Sequence, residues 1–177
     1  MNPTSGKGKG AAAGALVLQV LKDLGHETLD LSANSAADAL AAARKAVTSG
    51  AVRALLVVGG DGVVHLGVNA CAGTNVPLGI VAAGTGNDAA LTLGLPLNDP
   101  AQATRNALDN LTNPRTVDLL AGKSERGEFH AFNTVSAGFD ALVNRRANRM
   151  TWPKGPRATP WPWFWNSSSF RVSSTEL

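Results

Sequence analysis

Leu55-Leu56-Val57-Val58-Gly59-Gly60-Asp61-Gly62 is a short apolar run cut off abruptly by Gly-Gly-Asp-Gly. Such a run reads as a buried parallel strand feeding a tight turn and then a helix. Glycine at the turn lets backbone N–H groups face a ligand with no Cβ in the way. The helix that follows presents its positive end to an anion. The chemistry is that of a phosphate-binding turn with one carboxylate, Asp61, set inside it. A second apolar run at 78–81 ends in Gly84-Thr85-Gly86-Asn87-Asp88 and repeats the plan. Two such turns, each closing a parallel strand, lie side by side on one edge of a sheet, where open α/β sheets bind ligands. Either turn alone is equally a plain strand–helix connection; the pair is far more specific.

The flanking sequence supports the same architecture. Residues 11–24 carry apolar side chains at helical spacing and stop at Gly25. A short strand is expected at 29–31, then a helix over 36–48 capped by Ser35 and ended by Gly50. The first long strand spans 52–58 and the helix behind its turn 63–72. Pro77 opens the second strand, a short helix runs from Asp88 to about Gly94, and Asp99-Pro100 caps a helix that reaches about Leu111. This alternation implies a parallel sheet covered on both faces. After Pro114 the pattern changes: 116–120 and 128–135 read as strands joined by a polar hairpin at 122–127, with no helix between them.

Composition bounds the partners more weakly. The 177 residues are 44% hydrophobic, enough for a substantial core, and Lys+Arg exceeds Asp+Glu by only 16 to 13. The first 128 residues hold no aromatic side chain on which bases could stack, so no nucleic-acid partner is expected. The lone Cys71 excludes an intrachain disulfide, and in a helix of small residues it reads as a modest hydrophobe. No secretory signal precedes the fold, so a cytoplasmic setting is expected. No apolar run reaches the ~20 residues of a transmembrane segment. His26, His65 and His130 are too scattered for a metal site or a catalytic triad.

Together with Asn2-Pro3-Thr4-Ser5-Gly6-Lys7-Gly8 and the later Asn133-Thr134-Val135-Ser136-Ala137-Gly138-Phe139-Asp140, the two turns resemble the diacylglycerol kinase catalytic family. That family includes bacterial lipid kinases and sphingosine kinases, and NAD kinases share the Gly-Gly-Asp-Gly turn more distantly. The resemblance implies an α/β fold: a parallel-sheet nucleotide-binding domain over 1–114, then the truncated start of a second, β-rich domain that binds lipid, over 115–150. It implies ATP-dependent phosphorylation of a lipid hydroxyl, most directly diacylglycerol to phosphatidate, with ATP and Mg²⁺ as cofactors. The lipid would be met in transient visits to the membrane surface, and homo-oligomer formation is left open. An NAD kinase-like enzyme and a non-catalytic nucleotide-binding remnant are the alternative readings.

The same resemblance assigns nucleotide contacts to Asn2, Pro3, Thr4, Ser5 and Gly6, to Gly59, Gly60, Asp61, Gly62 and Val63, and to Gly84, Thr85, Gly86 and Asn87. Lys7 and Lys9 are either counter-charges for phosphate or simply solvated. Asp61 has three readings: a ligand of Mg²⁺, directly or through water; a general base for the acceptor hydroxyl; or an aspartate that satisfies turn N–H groups. Asn87 and Asp88 are candidates to cap the helix they precede, with Asp88 alternatively facing the site, and Asp140 either positions substrate or starts a helix. Three departures from the family pattern weaken nucleotide binding: Val63 replaces the usual threonine, His65 the usual asparagine and Ala82 the usual proline. A lost hydroxyl bond at Val63 costs ~1 kcal/mol.

Both ends read as incomplete. In the family the Asn-Pro-x-Ser-Gly segment follows a first strand, whereas Met1 stands directly before Asn2. All four tryptophans fall at Trp152, Trp161, Trp163 and Trp165, and Ser and Thr crowd the end of the chain. Codons for 158–166 can be chosen that spell Tyr-Thr-Val-Ala-Met-Val-Leu-Glu-Leu in a neighbouring frame, so 151–177 is expected to be a disordered or frameshifted tail. An interfacial tryptophan anchor is the alternative. As written, the chain is expected to be inactive.

Overall fold

The computed structural model describes residues 9–124 and 127–133. They all belong to the compact unit that runs from Met1 to Thr134. The elements are α1 (Lys9–Asp23), α2 (Ala36–Thr48), β1 (Leu55–Gly59), α3 (Asp61–Cys71), β2 (Leu78–Ala82), α4 (Asp88–Leu93), α5 (Pro100–Asp109), β3 (Leu120–Ser124) and β4 (Gly127–Ala131).

β1 and β2 pair in parallel, Leu55 opposite Leu78 through to Gly59 opposite Ala82. Alternation along these strands divides the core in two. Leu55, Val57, Ile80 and Ala82 face one side, with Val64 and Val68 of α3 and Ala43 of α2. Val58 and Val81 face the other, against Ala13 and Val17 of α1 and Ala103 of α5. Val58 and Val81 are 2% and 0% exposed, so the middle of the sheet is dry. The chain is therefore α/β, a parallel sheet between two helical layers, as the alternation of elements implies. Small residues allow the close packing. A Cβ on Gly67 of α3 would stand 2.7 Å from a Leu78 methyl and 2.8 Å from one on Val57.

Several local expectations hold closely. Ser35 caps α2 by accepting from the Asp38 N–H at 3.1 Å, and Gly50 ends that helix at a φ of 70°. Asp99 caps α5 by accepting from the Gln102 N–H at 2.9 Å, with Pro100 as the first helical residue. Gly94 closes α4 in the left-handed region. Burial pushes the Cys71 thiol up to about 11, which keeps it protonated and suits a packing role.

Other expectations need correction. The strand expected at 29–31 is absent: among the described residues that segment pairs with no strand. Asp30 there bends the chain by accepting from the backbone N–H and the hydroxyl of Ser32, at 2.9 and 2.6 Å. Those bonds, the hydroxyl first, hold the Asp30 carboxyl below its usual value. The first strand begins at Leu55 rather than 52, because Leu55 is where backbone bonding to the Pro77 carbonyl starts. The helix behind the first turn begins at Asp61 rather than 63, so the last half of Gly-Gly-Asp-Gly is already helical. The late hairpin is shifted: 116–119 is irregular, and Leu120–Ser124 pairs antiparallel with Gly127–Ala131. Gly122 thus sits within a strand, where the Phe129 ring covers it and would lie 2.5 Å from an added Cβ. Residues 2–8, Val135, Asp140, the basic residues from Arg145 onward and the tryptophan-rich tail lie outside the described residues.

Candidate functional site

At the carboxyl ends of β1 and β2 the two glycine turns meet backbone to backbone. A Cβ on Gly84 would fall 2.4 Å from the Gly60 Cα, and one on Gly60 would fall 3.2 Å from the Gly84 Cα. Glycine is therefore required at 84 by the approach of the turns, whereas at 60 a Cβ would be tight. Gly62 differs: nothing lies within 4 Å of a Cβ built on it, and it is exposed.

Gly60 is the N-cap of α3 and offers no side chain to its first turn. Among the described residues no acceptor meets the N–H groups of Gly60, Asp61 and Gly62, nor those of Thr85 and Gly86 in the facing turn. Unsatisfied donors are normal at a helix start. Here two sets converge on one sheet edge, at a surface where Gly62, Thr85 and Gly86 are exposed. Val63 is half-buried against the core and adds no hydroxyl to the turn.

The second turn is held by its own asparagine. Asn87 adopts φ 60° and ψ 39°, and its side chain makes no cap to α4. Its Oδ1 accepts from the Gly84 N–H at 2.9 Å and its Nδ2 donates to the Gly84 carbonyl at 3.2 Å. The cap for α4 comes from across the site, where Asp61 Oδ1 accepts from the Ala89 N–H at 3.1 Å. Asp61 thus satisfies a backbone N–H, but that of the neighbouring motif. Its other oxygen is turned toward Gly86: a Cβ there would be 3.2 Å from Asp61 Oδ2 and 3.6 Å from Asp88 Oδ1. Two carboxylates therefore flank the glycine of the second turn. Among the described residues no cluster of three or more His, Cys, Asp or Glu side chains is placed to hold a metal. The pair suits the mode in which Mg²⁺ takes one or two carboxylates and completes its shell with phosphate oxygens and water.

Beneath the turns lies a cleft of about 190 Å³. Asp61, His65, Asp88 and Asn133 form its polar wall, and Val64, Val68, Ala89 and Phe132 its apolar one. Asn133 enters it with a left-handed backbone, φ 79°. The β3–β4 hairpin reaches the cleft because Asn69 of α3 holds it there. Asn69 is 9% exposed; its Oδ1 accepts from the His130 N–H and its Nδ2 donates to the His130 carbonyl, both at 2.8 Å. A side-chain amide thereby occupies the edge of β4 as a neighbouring strand would.

The model of the diacylglycerol kinase catalytic domain matches residues 1–121, which include both turns and the helices behind them. The chain belongs to the diacylglycerol kinase catalytic domain family. Over 155 residues it is 43% identical to proteins named diacylglycerol kinase from two strains of Mycobacterium tuberculosis, covering 87% of this chain and 49% of theirs. A diacylglycerol kinase of Bacillus subtilis is 33% identical over 124 residues, 69% of this chain and 41% of its own length. The chain spans about half the length, or less, of the curated relatives it matches.

Of the candidate residues in this family member, Gly59, Gly60, Asp61, Gly62, Val63, Gly84, Thr85, Gly86 and Asn87 are brought together at one sheet edge. Asn2, Pro3, Thr4, Ser5, Gly6 and Lys7 lie outside the described residues, and Lys9 begins α1. His65, at the family's usual asparagine position, stands one helical turn below Asp61 and lines the cleft. One contributor was not foreseen from sequence. Asn69 carried the one available signal, an amide among the small apolar residues of a helix that must bury one face. Among the described residues no helix is long and apolar enough to cross a membrane.

Proposed function

We propose that this chain forms the nucleotide-binding part of an enzyme that transfers the γ-phosphate of ATP to a lipid hydroxyl, with diacylglycerol as acceptor and phosphatidate as product. The observation that carries the proposal is the pair of glycine turns, packed backbone to backbone, whose free N–H groups open beside the carboxylates of Asp61 and Asp88. Phosphoryl transfer asks a protein chiefly for alignment and charge stabilisation, and this edge supplies both. The N–H groups of Gly60, Asp61 and Gly62 at the start of α3 would hold phosphate oxygens, with Thr85 and Gly86 opposite. Asp61 Oδ2 and Asp88 would hold Mg²⁺, which when bound neutralises phosphate charge. The acceptor hydroxyl would approach from the cleft, its oxygen bonding to the γ-phosphorus as the bond to the bridging oxygen of ADP breaks and its proton is released to water. The lipid would be drawn from the membrane surface.

The test is calorimetric titration of ATP, with and without Mg²⁺, into wild type and Asp61→Asn. Asparagine keeps an oxygen to cap Ala89 and loses the charge. Mg²⁺-ATP affinity should fall at least about tenfold, the scale of one charge-assisted contact, while metal-free ATP binding changes little. Equal loss for both ligands would leave Asp61 with its capping role alone, and a wild-type chain that binds no ATP would end the nucleotide-binding reading.

A further inference from the structure

Residues 61, 65 and 69 follow at intervals of four, so they stack along one face of α3. Asp61 heads the row at the glycine turn, Asn69 closes it at β4, and His65 lies between them on the wall of the cleft. The amide nitrogen of Asn69 comes within 3.4 Å of both ring nitrogens of His65. That nitrogen carries only two hydrogens. Both have nearer acceptors, the His65 carbonyl at 2.9 Å and the His130 carbonyl at 2.8 Å. The imidazole is therefore packed against a clamped amide, and neither ring nitrogen is committed to a strong bond among the described residues. A neutral imidazole in that position presents one donor and one acceptor to whatever enters.

The size and polarity of the cleft restrict the entrant. Pockets that engulf a drug-sized ligand measure roughly 300–1,000 Å³, so about 190 Å³ takes a head group and leaves long acyl chains outside. The polar lining of Asp61, His65, Asp88 and Asn133 suits a hydroxylated head group. One turn of α3, about 5.4 Å, separates Asp61 from His65. A hydroxyl aimed at the phosphate turns would thus leave its neighbouring polar group level with the imidazole.

We propose that His65 is a specificity-determining residue for the acceptor. Its ring N–H donates to the ester carbonyl that flanks the phosphate-accepting hydroxyl of an acylglycerol, so the site prefers an alcohol beside an ester over one beside an ether. His65 takes no part in bond making or breaking; it positions the acceptor. This inference rests on the kinase reading above.

The experiment compares Kd for dioctanoylglycerol and the matching dioctyl ether in wild type, His65→Ala and His65→Gln, with Kd for ATP and Tm measured alongside. Wild type should favour the ester about tenfold, the scale of one hydrogen bond. His65→Ala should lose that factor on the ester alone, with Kd for ATP and Tm unchanged. His65→Gln, which regains an N–H donor, should recover much of the preference. An ester preference that survives His65→Ala, or an equal loss on both acceptors, overturns the assignment. So does a well-folded His65→Gln variant that behaves like His65→Ala. Wild type that binds ATP but neither acceptor fails the kinase reading itself and takes this inference with it, an outcome distinct from a chain that binds both acceptors whatever stands at residue 65.

Discussion

After β1 the chain passes through Gly60 straight into α3, whereas after β2 it makes a loop over 83–87 before α4 begins. Both turns are glycine-rich and both lead into a helix, yet their backbones are held by opposite means. The first has no side-chain tether of its own and leaves the N–H groups of 60–62 without acceptors among the described residues. The second is closed by Asn87 onto Gly84 and capped from outside by Asp61. Asp61 therefore belongs to the first turn in sequence and to the second in bonding. The turn that keeps its donors free depends on its neighbour for shape, and the neighbour depends on it for a cap.

The helices behind the turns differ in the same way. α3 is long, buries Val64, Gly67, Val68, Asn69 and Ala70, and carries the β3–β4 hairpin through Asn69. α4 is short and buries only Ala89 and Ala90, so its position leans on the contact from Asp61. Coupling of this kind makes the two motifs one unit.

The largest effect expected from breaking that unit is at Gly84. In Gly84→Ala the new Cβ meets Gly60 Cα at 2.4 Å and Asn87 Oδ1 at 2.8 Å, and backbone cannot rotate away as a side chain can. A loss of about 3 kcal/mol is expected, seen as a fall in Tm on the order of 10 °C. Gly60→Ala meets Gly84 Cα at 3.2 Å and should lose nearer to ~1 kcal/mol. Equal and small losses at both positions would mean that the turns separate freely.

Next comes the clamp beneath α3. Asn69→Leu keeps bulk and removes both bonds to His130, leaving a strand-edge N–H and carbonyl without partners. About 2–3 kcal/mol should be lost in urea unfolding. The amide of His130 should also exchange faster than those of β1. If the exchange of His130 is unchanged, the hairpin is held by its apolar contacts instead.

Asp61 gives a smaller and more selective change. Asp61→Ala removes the cap on Ala89 and should destabilise by ~1–2 kcal/mol, whereas Asp61→Asn, with an oxygen still available, should lose less than half of that. Matching Tm values for the two variants would show that the bond to Ala89 contributes little, and would detach α4 from the first turn.

The sheet, its two covering layers and both turns were legible because continuous apolar runs and glycine punctuation are local signals. Ser35, Gly50 and Asp99 act within a few residues of themselves and were legible for the same reason. The bond from Asp61 to Ala89 and the clamp from Asn69 to His130 join residues far apart in sequence, 28 and 61 positions, and no local pattern encodes them. The strand expected at 29–31 had apolar residues in the right order and lacked what sequence cannot display, a strand beside it among the described residues. The cleft that His65 lines is likewise invisible in sequence, since α4 and the residues just past β4 complete it.

The smallest effect on stability is expected at Gly62, and it sharpens the contrast with Gly84 most. Gly62 is the second residue of α3, has no positive φ, and faces open space where a Cβ would stand. Alanine is a better helix former than glycine by up to about 1 kcal/mol in a helix interior. Gly62→Ala should therefore leave Tm unchanged or raise it by a few degrees. The same methyl would project into the surface where the free N–H groups open, so ATP affinity by calorimetry should fall while stability does not. Loss of stability would place a structural demand at Gly62 like that at Gly84. Unchanged ATP affinity in a stable Gly62→Ala variant would mean that phosphates do not approach the start of α3, and the difference between the two turns would then be one of packing alone.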